Sequence, residues 1–228
     1  MDRYARCIAV WDDIFSKQAA VFPKAKETGV AALDEGLRWL TCGSSSVLDF
    51  GCGNGTLLCF CSLYGTKTHV GVDLSPKAIE SAAVRSKLAP SGEFTFLCGG
   101  TELLKTLPAA SMDGAILSNI LDNLYPADAR FALSELARIL RPGGKLLVKL
   151  NAFLTDEQAS QWNLRRIEGN LFDDGLLLWN NTDAEWEALF APRFSVVRRA
   201  EVLFEGQEQP NRLFGLVNQP SGQSRAAE

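Results

Sequence analysis

Val47-Leu48-Asp49-Phe50-Gly51-Cys52-Gly53-Asn54-Gly55 carries the fold of this chain in outline. Its first four residues have strand character, three glycines follow within five positions, and Thr56 opens a stretch of helical periodicity. Strand, glycine loop and helix in that order suit a nucleoside ligand, because glycine permits the tight turn and leaves the backbone open to close approach. Beyond the loop, short apolar runs alternate with glycine-bearing turns and helical stretches, the pattern of successive βαβ units around a parallel sheet. The expected strands are Val47 to Phe50, His69 to Val72, Phe94 to Cys98, Gly114 to Ser118 and Lys145 to Lys149.

Helices fall between these runs. Leu57 to Tyr64 stops at Gly65, Ser75-Pro76 supplies an N-cap followed by proline at the first helical position, and Ala127 to Leu140 ends at Arg141-Pro142-Gly143-Gly144. Thr155 to Gln158 and Thr182 to Glu185 match the capping box, so each is expected to start a helix. The apolar segments Phe194 to Phe204 and Arg212 to Val217 flank a polar stretch and are expected to pair antiparallel at one edge of the sheet. The resulting fold class is α/β and doubly wound: a mostly parallel seven-stranded sheet with an antiparallel strand at its C-terminal edge and helices on both faces. Residues 1–45 are expected to form a helical lid or cap, 46–218 the main domain, and 219–228 a disordered tail.

Tyr4, Ile8, Trp11 and Phe15 share one helical face, as do Val30, Leu33, Leu37 and Leu40. The aromatic stripe of the first helix fits a lid over a crevice, and equally a helix that simply packs on the sheet.

Bulk properties narrow the function. A chain of 228 residues, 46% hydrophobic, supports one sizeable core. A net charge of -4 and a pI near 5.2 argue against a surface that tracks a phosphate backbone, so no nucleic-acid partner is expected. No apolar run approaches the ~20 residues of a membrane span, and the charged start Asp2, Arg3, Arg6 is unlike a secretory leader. The six cysteines are therefore expected to be reduced thiols of a cytoplasmic protein. Cys59-Phe60-Cys61 lacks zinc-site spacing and His69 is the lone histidine, so no metal is expected.

The second expected strand runs into Asp73, 18 residues beyond Gly55, where a carboxylate suits both hydroxyls of a ribose. That spacing serves a dinucleotide as well as other nucleosides. The dinucleotide fingerprint G-x-G-x-x-G, however, wants glycine where Thr56 stands.

Four ordered segments, VLDFGCGNG, VGVDLS at 70–75, FTFLCGGTE at 94–102 and LARILRPGGKLLV at 136–148, resemble the motifs of class I S-adenosylmethionine-dependent methyltransferases. The resemblance spans about residues 46 to 150. It implies S-adenosylmethionine as cofactor and S-adenosylhomocysteine as its product. It also implies that Asp49, Gly51, Cys52 and Gly53 border the methionine part, Asp73 holds the ribose, Leu74 packs on the adenine, Gly100, Thr101 and Glu102 pass its edge, and Ser118 faces the sulfonium end. Gly100 departs from the family, where many members carry an aspartate, and Asp122 stands where many small-molecule members carry histidine.

Methyl transfer from a sulfonium mainly requires positioning and exclusion of water. The polar groups expected at the crevice end are Asn119, Asp122, Asn123, Lys149 and Asn151, with Asp122 a weak candidate for the base and equally readable as a solvated loop acid. His69 opens its strand at the far end and is expected to be structural. Trp162, Trp179 and Trp186 fit core packing better than a cation-binding cage. Leu117-Ser-Asn-Ile120 lacks the Asn/Asp-Pro-Pro-aromatic tetrad of nucleic-acid and protein amide methyltransferases, which favours a small-molecule acceptor. Two other readings stay open, a non-catalytic cofactor-binding subunit and a nicotinamide-dependent oxidoreductase. Acceptor and oligomeric state are not legible.

Overall fold

The computed structural model describes residues 3–173 and 175–219. Helices α1 (Ala5–Ser16) and α2 (Ala31–Thr41) precede β1 (Ser46–Phe50), α3 (Thr56–Leu63), β2 (Thr68–Asp73), α4 (Pro76–Ser86) and β3 (Glu93–Cys98). After a 3-10 segment come β4 (Met112–Ser118), a second 3-10 turn at Leu121–Asn123, α5 (Pro126–Ile139) and β5 (Leu140–Leu150). Each of the five parallel strands anticipated from the sequence is present, longer by one to several residues.

Every residue of β1 is buried, which is why that strand reads as an unbroken apolar run around Asp49. α5 shows the opposite logic: Ala129, Ala132, Leu133, Leu136 and Ile139 form one buried stripe, and Pro126 starts the helix where a missing N–H costs nothing. β5 pairs with β4 on both sides of the Arg141–Gly144 turn, Leu140 with Met112 and Lys145 with Gly114.

After β5 come α6 (Asp156–Gln161), β6 (Arg165–Glu168), β7 (Leu171–Asp173), β8 (Leu177–Trp179), α7 (Asp183–Phe190), β9 (Phe194–Val202) and β10 (Asn211–Asn218). Both expected capping boxes are formed, Thr155 with Gln158 and Thr182 with Glu185. β6, β7 and β8 make a small antiparallel sheet that the sequence pattern did not reveal. β6 is exposed along its whole length and the other two strands have three residues each, too few to display a period.

The main sheet has the order β3-β2-β1-β4-β5-β10-β9. β1 to β5 are parallel, and β10 runs antiparallel to both β5 and β9. The reversed strand thus belongs to the C-terminal edge of the sheet, one place in from β9. One core cluster joins the sheet to α5 and α7, and another joins it to α2 and α3. Strand order reverses between β1 and β4, and there the carboxyl ends of the strands open a crevice.

No described helix is long and apolar enough to cross a membrane. Of the expected tail, residues 220–228 lie outside the described residues.

Candidate active site

The glycine loop is held by backbone bonds: Gly51 and Cys52 N–H groups both donate to Val72 O, at 2.8 and 3.0 Å. Gly51, Gly53 and Gly55 have φ of 78°, 51° and 74°, the left-handed region that disfavours a side chain. At Gly55 a Cβ would press on Ala82 and Phe96 at 3.1 and 3.2 Å, so this glycine also lets α3 and α4 approach the sheet.

Asp73 closes the loop from the next strand. Its Oδ2 accepts from Gly53 N and its Oδ1 from Ser75 N, each at 2.8 Å. Burial pushes the carboxyl up, and the two amide donors pull it back down. Each oxygen keeps a lone pair for a further donor. Asp49 lies deeper: burial, with the charge of Asp73 second, pushes its carboxyl up to about 8, and Oδ1 has no hydrogen-bond partner among the described residues.

A cavity of about 590 Å³ opens over these groups. Asp49, Gly51, Cys52, Gly53, Asp73, Leu74, Gly100, Thr101, Glu102 and Ser118 all line it, as do Tyr4, Trp11, Phe15, Asn119 and Asn123. The structure therefore brings together every residue that the sequence placed around the cofactor. Gly100 N donates to Glu102 Oε1 at 2.8 Å, folding that acid back onto the bend. Asn119 has φ of 53° and a buried Oδ1 without a partner among the described residues, a strained position at the mouth of β4.

α1 lies across the cavity. Trp11 and Phe15 stack at 5.7 Å, and Phe15 sits on Gly53 so closely that a Cβ there would meet its Cζ at 2.8 Å. Polar contacts hold the helix at several places, one of them Arg6 on Asp173 of β7 at 3.3 Å. Tyr4 donates to Asp128 at 2.5 Å, Asp12 Oδ1 accepts from Ser75 Oγ at 2.5 Å and Lys77 N at 3.1 Å, and Gln18 Oε1 accepts from Asn54 at 2.8 Å. The aromatic stripe was legible; Asp12 and Asp128 were missed, because a lone acid gives no signal of a partner far along the chain.

Asp122 needs correcting. It is fully buried, lines neither this cavity nor its neighbour, and its Oδ2 accepts from Asn151 N at 2.7 Å. The 3-10 turn at Leu121–Asn123 points it inward, so it braces the end of β5 instead of meeting an acceptor, and burial raises its pKa. Asn151 itself lines a second cavity of about 750 Å³, which shares Trp11, Ser118, Asn119, Asn123 and Leu176 with the first.

His69 is structural in this fold: Nε2 lies 2.7 Å from Thr66 Oγ1, Nδ1 lies 3.0 Å from Glu93 O, and the ring stacks on Phe94. Trp179 and Trp186 pack edge to face in the core, whereas Trp162 is exposed and lines the second cavity. Cys59 and Cys61 are buried, and burial pushes both thiols up.

Residues 48–148 match the methyltransferase domain family. The chain is 33% identical over 104 residues to a ribosomal protein L11 methyltransferase of Burkholderia cenocepacia, a match covering 44% of this chain and 30% of that protein. It is 36% identical over 107 residues to the ubiquinone/menaquinone biosynthesis C-methyltransferase UbiE of Syntrophotalea carbinolica, covering 46% of this chain and 44% of the relative. The matched segments span less than half the length of these relatives. In fold it is similar to the 1,6-didemethyltoxoflavin-N1-methyltransferase of Burkholderia thailandensis, solved with bound 1,6-didemethyltoxoflavin and S-adenosylhomocysteine, at a TM-score of 0.67, 17% identity, 95% of this chain and 86% of that one. It is equally similar to the N-methyltransferase NodS of Bradyrhizobium japonicum in complex with S-adenosylhomocysteine, at a TM-score of 0.67, 16% identity, 94% of this chain and all of that one. The nicotinamide reading, already weakened by Thr56, gives way to this match. Residues 48–148 thus match a methyltransferase domain, and the chain shares the fold of these solved methyltransferases.

Proposed function

We propose that this chain transfers a methyl group from S-adenosylmethionine to a small-molecule acceptor. The observation that carries the reading is Asp49 Oδ1, a buried and unpartnered acceptor beneath a glycine loop, in the same cavity as Asp73. Burial favours the protonated form of Asp49, and the ammonium of an amino acid placed beside it would stabilise the carboxylate. The donor set fits the rest of the cofactor too. Asp73 keeps lone pairs for ribose hydroxyls, Leu74 offers an apolar surface to the adenine, Gly100, Thr101 and Glu102 flank its edge, and Ser118 borders the methyl end. When bound, the cofactor supplies a methyl already activated on a sulfonium.

The chain's own residues then have two tasks. They must hold the acceptor in line with that methyl, at ~3–3.5 Å, and they must keep water out. Ser118 and Asn119, common to both cavities, are placed for the first. α1, with Trp11 and Phe15 over Gly53, serves the second as a lid. With Asp122 turned into the core, an acceptor whose lone pair is free at working pH suits this site best. Two adjoining cavities of about 590 and 750 Å³ suit small ligands, and the net charge of -4 gives nucleic acid little to hold.

Calorimetric titration with S-adenosylhomocysteine should show binding that falls at least about tenfold in Asp73→Ala, as expected for loss of charge-assisted hydrogen bonds. Equal binding by both proteins refutes the ribose site. Mass spectrometry of a metabolite extract incubated with methyl-labelled cofactor should then find a labelled small molecule. Label only on protein or RNA would overturn the small-molecule acceptor, and tight binding with no labelled product would favour a non-catalytic role.

A further inference from the structure

The second cavity holds a group that donor binding does not use. Lys149 stands near the end of β5, paired with Ser118 of β4 and Leu213 of β10, and lines this cavity beside Asn119 and Asn151. The side chain is half-buried. No carboxylate pairs with Nζ and no oxygen accepts from it among the described residues; Nζ lies 4.9 Å from the centre of the Phe204 ring. Burial brings its pKa down to about 8, against the pull of Asp122.

Other charges near it are few. Glu208 lines the same cavity but is exposed at the rim, and Asp122 lies in the protein beneath. Arg212 of β10 does not line this cavity; its Nε donates to Asn151 O and its Nη1 to Asn181 O and Asp183, while its buried Nη2 has no partner among the described residues. Most of the remaining polar lining is carboxamide, with Trp11 and Trp162 as flat apolar walls.

A desolvated ammonium with no carboxylate in contact favours an anion that enters beside it. Resting on the methyltransferase reading above, we infer that this second cavity is the acceptor chamber and that it takes a planar anionic acceptor, with Lys149 binding the negative group and the tryptophans its ring. A neutral acceptor leaves the ammonium unpaired, and a cationic one is repelled. Lys149 sets the charge of the acceptor and makes no bond to the methyl group.

Three probes of one shape separate the possibilities: benzoate, benzamide and benzylamine, titrated by ligand-observed NMR into protein saturated with S-adenosylhomocysteine. Benzoate should bind about tenfold more tightly than benzamide, the range expected for one partly exposed charge pair, and benzylamine should not bind. Lys149→Met should erase the preference, Lys149→Arg should keep it, and Glu208→Gln should change it little. In the unsubstituted protein the preference should fade as pH rises through about 8, where Lys149 loses its proton. Equal affinity for benzoate and benzamide, or a preference that survives Lys149→Met, overturns the inference. A separate titration with S-adenosylhomocysteine alone reports on the donor cavity, so failure there is told apart from failure here, and unaltered donor binding in Lys149→Met shows that the variant is folded.

Discussion

Gly53→Ala tests the glycine loop and the helix above it together. At φ of 51° an alanine pays the left-handed penalty of ~1–2 kcal/mol. Its Cβ would also stand 2.8 Å from Phe15 Cζ, so the phenyl ring must move and loosen its stack on Trp11, a contact of ~0.5–1.5 kcal/mol. The two contributions sum to about 1.5–3.5 kcal/mol, and only the second depends on Phe15. In a Phe15→Ala background, Gly53→Ala should therefore cost about 1–2 kcal/mol, leaving a coupling of about 0.5–1.5 kcal/mol. Urea unfolding of the four proteins of this cycle measures the coupling, and calorimetry with S-adenosylhomocysteine follows the cavity side. Strict additivity, within ~0.3 kcal/mol, would show that Phe15 does not rest on Gly53 in solution and would remove α1 from the site.

Asp12→Ala deletes the acceptor for Ser75 Oγ and Lys77 N. Amide exchange should quicken in residues 5–16 and S-adenosylhomocysteine should dissociate several-fold faster, while β1 and β4 keep their protection; unchanged exchange in that segment would show that this anchor does not hold the helix. Asp49→Asn concerns pH. Burial raises the folded-state pKa of Asp49 to about 8, so at intermediate pH the folded chain keeps a proton that the unfolded chain has released. Its contribution is whole below about 4 and is lost as pH rises through about 8. Without ligand, Asp49→Asn should gain urea midpoint over the parent at pH 8.5 relative to pH 5.5; midpoints that move in parallel would mean that Asp49 is ionised in the fold throughout.

The sheet was legible because its signals are local. A buried strand announces itself by unbroken apolar character, α5 by its stripe, and α6 and α7 by a threonine paired with Gln158 or Glu185 three positions on. The lining of the first cavity was legible for the same reason, since Asp49, Gly53 and Asp73 sit at or just after strand ends whose order follows from the repeated βαβ pattern. What failed depends on how distant pieces meet. Asp122 follows β4 closely, as a crevice acid should, yet one 3-10 turn carries it into the core. The small sheet of β6, β7 and β8, which walls the second cavity through Leu178 of β8 and Leu176 just before it, has one wholly exposed strand and two of only three residues, which leave no pattern.

The way α1 is attached bears on how the donor would enter and leave. None of Ala5–Ser16 is buried, so the helix gains little of the apolar burial that fixes α2 or α5 in place. Its polar anchors lie on the start of α4, the start of α5, the glycine loop and, through Arg6, the end of β7. Contacts of this exposed or half-exposed kind contribute little each, typically under ~1 kcal/mol. The sheet beneath, by contrast, is buried on both faces along β1. Of the two boundaries of the first cavity, α1 is the one that opens at low cost, so under the proposed function the donor would exchange by movement of this helix, which carries the Trp11 wall of the acceptor chamber with it and leaves the strands and the Ser118 and Lys149 side of that chamber in place.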